Sequence, residues 1–325
     1  MSGWISPFRL RDKGILGMNR RNVAYIARYN EREKYPLVDN KLTTKLVAAE
    51  AGLAVPDLIG VVRTQHEIAQ VREKLENLTE FVAKPAQGSG GKGILVVTGQ
   101  EDEQFKKASG ELITLETVQR HLTNTLSGLH SLGGRTDVAF LETLVRVSPY
   151  FDRYSHEGVP DIRLIVFKGF PVMGMLRLAT KASDGKANLH QGAIGVGLDI
   201  STGKAIRAVQ HNNLVSTHPD TEADLASIEI PDWPSLLQLA AQCYEVTGLG
   251  YLGADIVIDR HRGPLILELN ARPGLSIQIA NNAGLLPRLT HIESLDTRKM
   301  SIEDRVAYAA EHFAEDNINQ LGRTA

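Results

Sequence analysis

Gly253-Ala254-Asp255-Ile256-Val257-Ile258-Asp259-Arg260-His261-Arg262-Gly263-Pro264-Leu265-Ile266-Leu267-Glu268-Leu269-Asn270-Ala271-Arg272-Pro273-Gly274 contains two short β-rich runs, Ala254 to Ile258 and Leu265 to Leu269. The loop between them, Arg260 to Pro264, can continue neither run, so the stretch reads as a β-hairpin. Side chains alternate along a strand, which puts Asp255 and Val257 on one face of the first run and Glu268 and Asn270 on one face of the second. A turn pivoting between His261 and Arg262 sets Asp255 directly across from Glu268. Two carboxylates and an amide oxygen then converge at one end of the hairpin. Like charges facing each other destabilise a sheet, so the arrangement calls for a cation. Oxygen donors without Cys or His suit Mg²⁺ or Mn²⁺ better than zinc. The competing reading is an exposed hairpin with scattered acids.

Upstream, the β-rich Phe81 to Lys84 leads into Gly88-Ser89-Gly90-Gly91-Lys92-Gly93 and then Ile94 to Val97. Gly88, Gly90 and Gly93 match a dinucleotide-binding fingerprint in form, and Ala86 to Lys92 nearly matches a P-loop. Both matches fail on context, because Gly93 stands where a P-loop needs Ser or Thr and the residues after it read as a strand, not a helix. What remains is a strand, a glycine loop and a strand. Such a loop can fold its backbone N–H groups over a polyphosphate, with Lys84 as a point charge beneath it. A lysine among Phe81, Val82 and Ala83 would otherwise be buried without a partner.

A second hairpin is expected from Asp161 to Phe167, turning at Lys168 to Pro171 into Val172 to Arg177. Asp161 and Arg163 share a face, and Arg177 emerges from the neighbouring strand. Arginines on apolar strands need anions, supplied either by a phosphate or carboxylate ligand or by internal pairing with Asp161. Helices are expected after Asp39, from Gln65 to Leu78, from Thr114 to Leu132, from Pro234 through Cys243 to Val246, and after Ser301. Leu115, Val118, Leu122, Leu126, Leu129 and Leu132 form the stripe of the third of these; Ile302, Val306, Ala310 and Phe313 form that of the last.

Bulk composition narrows the class. The 325 residues are 42% hydrophobic and 23% charged with a net charge of −2, which argues against a dedicated nucleic-acid binder. The lone Cys243 excludes an internal disulfide and reads as a small buried hydrophobe. No apolar run is long enough for a transmembrane helix and no signal peptide is recognisable, so a cytoplasmic enzyme or binding protein is expected. Arg9, Arg11, Lys13, Arg20, Arg21 and Arg28 stand against only Asp12 in the first thirty residues. Such a run is either a solvated basic face or a docking surface for an acidic partner or a membrane.

The order of these parts, from Asp39 and Lys41 through Lys84 with its glycine loop, Glu142 to Val145, Asp161 and Arg163, Arg177, Asn188 to His190 and Asp255 to Glu268 and Asn270, resembles the ATP-grasp superfamily. Within it the chain looks like the alpha-L-glutamate ligase-like branch, related to RimK-type and sugar-transfer associated proteins. The resemblance implies an α+β fold in which two α+β subdomains clasp ATP between them, over residues 39–137 and 138–325. The basic segment 1–38 stands as a reduced helical element where relatives carry a full domain. It further implies ATP and Mg²⁺ (or Mn²⁺) as cofactors. Lys41, Lys84, Gly88, Ser89, Gly90, Gly91, Gly93 and Asp161 would bind the nucleotide, and the backbone of Glu142, Thr143 and Leu144 would read the adenine edge. Lys84, Arg163, Arg177 and Asn188 would carry catalysis, and Asp255, Glu268 and Asn270 would hold the metal. The implied activity is ATP-dependent carboxylate–amine ligation on small-molecule or peptide substrates. The alternatives are a small-molecule kinase and a nucleotide-binding accessory protein without turnover.

Overall fold

The computed structural model describes residues 6–75, 78–88 and 91–317. The chain divides into two compact units, Asp39–Arg146 and the described parts of Met1–Val38 with Val147–Ala325.

In the unit Asp39–Arg146, strands β1 (Leu58–Val62), β2 (Phe81–Pro85), β3 (Leu95–Glu101), β4 (Gln104–Lys107), β5 (Leu112–Ile113) and β6 (Ala139–Glu142) form an antiparallel sheet of order β1-β6-β2-β3-β4-β5. The helix Leu115–Leu126 begins at the Thr114 cap and lays Val118, Leu122 and Leu126 against Phe81, Ala83, Val97 and Leu141. Its stripe ends earlier than the sequence suggests, and Leu129 is 68% exposed. The helix Lys41–Glu50 is capped by Asn40 rather than Asp39, because Asn40 holds the extended backbone a cap needs and its Oδ1 accepts from Thr43 N at 3.0 Å. Leu42 packs with Ala86 and Phe140. The expected helix from Gln65 is interrupted at Gln70, whose N–H reaches the Ile68 carbonyl instead of one four residues back.

In the other unit, strands β7 (Asp161–Phe167), β8 (Phe170–Leu178), β9 (Ile194–Leu198), β10 (Ala205–Gln210), β11 (Asn213–Val215), β12 (Tyr251–Asp259) and β13 (Gly263–Asn270) form an antiparallel sheet of order β11-β10-β9-β8-β7-β12-β13. The β7–β8 turn is tighter than expected. Lys168 and Gly169, at φ 50° and 82°, make it alone, and Pro171 lies inside β8 at a register shift, where a strand tolerates a missing N–H. Helices Trp233–Thr247 and Ile302–His312 pack against this sheet. Cys243 is fully buried and donates to the Leu239 carbonyl at 3.2 Å, and burial pushes its thiol well above its ordinary value. The buried side of the last helix runs through Arg305, Val306, Ala309 and Phe313 instead of Ala310, with the Arg305 guanidinium paired to Glu245.

The N-terminal segment packs on this unit by one side and keeps its basic side chains outward, with Arg9, Arg11, Lys13, Arg20 and Arg28 exposed and Arg21 half-buried. Tyr25 and Tyr29 meet the Phe167 ring edge-on at 5.6 and 4.9 Å, the Asn30 side chain brackets the Tyr251 backbone through bonds of 2.7 and 2.8 Å, and Leu16 exchanges two hydrogen bonds with Gln278. Aromatic packing and satisfied buried amides therefore hold it on this unit.

Candidate functional site

The hairpin β12–β13 sets Asp255 opposite Glu268 and Gly253 opposite Asn270. The turn that does so differs from the sequence reading. It pivots on His261, since Asp259 pairs with Gly263, and Asp259 Oδ1 accepts from the His261 and Arg262 N–H groups at 2.8 and 3.0 Å. That pivot alone would misplace Glu268 by one residue and turn it to the opposite face. A bulge at Leu267, the extra residue between Ile266 and Glu268, restores it.

Across β12 and β7, Asp255 lies opposite Arg163; across β7 and β8, Asp161 lies opposite Arg177. Directly opposed residues share a face, so Asp161, Arg163, Arg177, Asp255, Glu268 and Asn270 line one side of four adjacent strands. Arg163 grips Asp255 bidentately, Nε to Oδ1 at 2.7 Å and Nη2 to Oδ2 at 2.6 Å, while Arg177 donates to Asp255 Oδ2 at 2.7 Å and to Asp161 Oδ1. Both anions that the arginines required are thus internal carboxylates. Burial opposes ionisation of Asp255, yet Arg163 and Arg177 hold it well below the usual carboxylate range. Burial likewise works against the Arg177 charge, and Asp161 and Asp255 more than reverse it. Asp161 behaves differently: burial, against the pull of Arg177 and with the Asp255 charge adding to the rise, pushes it up to about 6.

An aspartate raised in this way binds more protons folded than unfolded between about pH 4 and pH 6, so its stabilising contribution is present at the acid end and is lost as pH rises through about 6. Asp161→Asn should therefore remove a decline in thermal stability that the unmodified protein shows from about pH 4 to pH 6. Parallel melting profiles for the two proteins across that range would contradict the assignment.

Asp255, Glu268 and Asn270 offer only oxygen donors, the chemistry Mg²⁺ prefers. Of the four or so lone-pair sites on the Asp255 carboxylate, the arginines take three, leaving one for a metal. Among the described residues no group of three or more His, Cys, Asp or Glu side chains is arranged to hold a metal, so the fit rests on two carboxylates and an amide. Asn188 caps the short turn Leu189–Gln191, its Oδ1 accepting from His190 N at 3.0 Å, which places this amide in a local structural role.

In the unit Asp39–Arg146, the centre of charge is Glu142, at the end of β6. Its carboxylate bonds both Lys84 on β2 and Lys45 on the helix Lys41–Glu50, the latter at 2.8 Å. Lys45 escaped the sequence reading; its signal was the spacing of four from Lys41, which places both on one side of the helix. Burial pushes the Lys45 ammonium down, with Glu142 pulling it back. One carboxylate bonds two ammonium groups, and the Asp57 charge adds to its pull on Lys45. Lys41 starts the same helix and its N–H donates to the Ala86 carbonyl at 2.8 Å, beside the entry to the glycine loop. The Thr143 N–H donates to Asp57 O at 2.9 Å, and its hydroxyl accepts from Asp57 N at 2.9 Å, so this residue has no N–H left for a base edge.

Asp137, unmarked by any motif, anchors the entry to the loop: its carboxylate accepts from Gln87 N at 3.0 Å, Val138 N at 2.7 Å and the Ser131 hydroxyl at 2.5 Å. Ser89 and Gly90, both expected to contact the nucleotide, lie outside the described residues. Gly91 and Gly93 have φ of 76° and 75°, and a Cβ at Gly93 would sit 2.4 Å from His130 Cγ. Gly93→Ala should therefore destabilise this unit by about 1–3 kcal/mol through combined strain and overpacking. Chemical denaturation would read this as a lowered midpoint; an unchanged midpoint would mean that His130 moves aside without penalty.

A family model for sugar-transfer associated ATP-grasp matches residues 20–294. The chain belongs to this ATP-grasp family. No curated protein matches its sequence. Among solved structures it is similar to the ATP-grasp ligase PsnB complexed with a precursor variant, Mg and ADP, at 16% identity and TM-score 0.44, covering 82% of this chain and 60% of that one. It is also similar to D-cycloserine synthetase DcsG (16%, 0.43, covering 95% and 82%) and to D-alanine–D-alanine ligase from Bacillus anthracis (15%, 0.40, covering 85% and 68%). The ATP-grasp chain thus spans about 60% of the PsnB length. Among its described residues no helix is long and apolar enough to cross a membrane.

Proposed function

We propose that this ATP-grasp protein is an ATP-dependent carboxylate–amine ligase. ATP transfers its γ-phosphoryl group to a substrate carboxylate, giving an acyl phosphate and ADP. An amine then attacks the acyl carbon, forming the amide and releasing phosphate and a proton. A free carboxylate cannot be displaced directly, because oxide is too poor a leaving group; phosphorylation supplies a good one.

The observation that carries the reading is the paired lysine site. Lys45 is buried and Lys84 largely so, both bond the Glu142 carboxylate, and Lys84 lies on β2 just ahead of the glycine-rich stretch, where a cation suits a phosphate group. In this reading Lys84 contacts the nucleotide's phosphates, Lys41 and the Gly88 to Gly93 loop enclose them, and Leu144 rather than Thr143 offers its N–H to the adenine edge. Arg177 and Arg163 stabilise the transferring phosphoryl group, with Asp161 fixing the Arg177 fork. Asp255, Glu268 and Asn270 would hold Mg²⁺, which when bound neutralises phosphate charge. Catalysis is then mostly positioning, charge stabilisation and exclusion of water.

The test is release of ADP and phosphate by the purified protein with Mg²⁺ and ATP, across pools of carboxylates and amines, with Glu268→Ala as the blank. Release that needs both a carboxylate and an amine, and that falls at least about a hundredfold in the blank, is the expected result. Release independent of any amine would contradict the ligase reading.

A further inference from the structure

Two histidines that no motif marks meet at the exit of the glycine-rich stretch. His121 lies on the helix Leu115–Leu126, and its Nε2 is 3.0 Å from the Gly93 carbonyl oxygen. A carbonyl only accepts, so Nε2 carries the proton and donates. Burial pushes this imidazole down, with the Gly93 bond pulling it back and the charges of His130 and Lys107 adding to the fall. The ring is therefore neutral near pH 7.

His130 follows the same helix. Gly128, at φ 86°, turns the chain, and the His130 ring stacks on His121 with centroids 5.5 Å apart and planes at 27°. It also lies so close against Gly93 that a side chain there would have no room. His130 Nε2 is buried and has no hydrogen-bond partner among the described residues. A buried imidazole nitrogen left unpaired costs stability, so the contact with Gly93 is one of shape, which a phenyl ring would supply without that cost.

The entry to the stretch is held from the same turn. Ser131, next to His130, bridges the backbone of Gly88, and its hydroxyl donates to the Asp137 carboxylate that also accepts from Gln87 N. One helix and the turn after it thus grip the stretch at Gly88 and at Gly93. Backbone N–H groups that surround phosphates take their direction from where the chain is held on either side, and a misplacement of about 1 Å at a reacting group is expensive.

We infer that His121 and His130 are positioning residues for the nucleotide's phosphates, His121 through its bond to the Gly93 carbonyl and His130 through ring packing on Gly93. This rests on the reading that the stretch encloses those phosphates. Both side chains act on the backbone at Gly93, not on the nucleotide.

Paired substitutions separate the two roles. His121→Gln keeps a donor near the place of Nε2, whereas His121→Phe keeps a ring without one; His130→Phe keeps the ring, and His130→Gln does not. The full chain is titrated calorimetrically with Mg²⁺ and AMPPNP. Affinity should fall about threefold to tenfold in His121→Phe and in His130→Gln, the scale of one hydrogen bond or one packed contact, and should be largely retained in His121→Gln and His130→Phe. Without nucleotide, tryptic cleavage after Lys92 should quicken in the same two weakened variants. Should His130→Gln fail to fold, the His121 pair decides. Equal losses in both members of a pair, unchanged affinity in every folded variant, or no binding by the unmodified protein would overturn the assignment. AMPPNP is not turned over, so the result stands apart from the choice of acceptor, which the ADP-release assay decides separately.

Discussion

Lys84→Ala is expected to slow ATP-dependent phosphate release by about a hundredfold or more while leaving the fold in place. The magnitude is that of removing one preorganised charge aimed at the transferring group. The fold should persist because Glu142 keeps its 2.8 Å bond to Lys45, so no buried carboxylate is left alone. Steady-state phosphate release at saturating ATP, alongside circular dichroism, separates the two effects. A folded Lys84→Ala protein with turnover within a few-fold of the original would remove this lysine from the chemistry and leave it a purely internal ion-pair partner.

Removing the carboxylate instead should act on stability first. The side chains of Glu142, Lys45 and Lys84 are only 3%, 7% and 11% exposed, so Glu142→Ala leaves two adjacent ammonium groups buried without their counter-charge. Breaking a buried pair in this way costs about 3–5 kcal/mol, a large share of the stability of a unit of this size. Chemical denaturation should show the loss. The combined variant Glu142→Leu, Lys45→Met, Lys84→Met should recover much of it, since well-packed apolar groups commonly replace buried ion pairs without penalty, yet it should stay inactive. A stable Glu142→Ala single variant would mean that water reaches the two lysines.

Much of this was legible before any coordinates, and the reasons differ from residue to residue. Strand periodicity put Asp161 with Arg163 on one face, and Asp255 across from Glu268 with Asn270, because alternation with a period of two survives small errors in strand ends; that the two hairpins adjoin and set Arg163 opposite Asp255 was not legible. Asp255 does face Glu268, though by a different turn and a compensating bulge at Leu267; bulges leave no pattern in a single sequence. The need of Lys84 for a partner was readable from its apolar neighbours, but its sharing of Glu142 with Lys45 depends on how the helix Lys41–Glu50 crosses the sheet. Thr143 could not be excluded as a base reader without seeing Asp57 beside it. The basic run from Arg9 to Arg28 read as a surface, and most of it is exposed; the packing of Tyr25 and Tyr29 on Phe167, between its charges, depends on a partner strand far along the chain.

The central claim is that an activated carboxylate forms on the protein. Incubation with Mg²⁺, ATP and a pool of carboxylates in the presence of hydroxylamine tests it most directly. The account predicts hydroxamate appearing in step with ADP, and neither product with Lys84→Ala. ADP formed without hydroxamate would contradict it, and would mean that the phosphoryl group goes to a stable hydroxyl or to water.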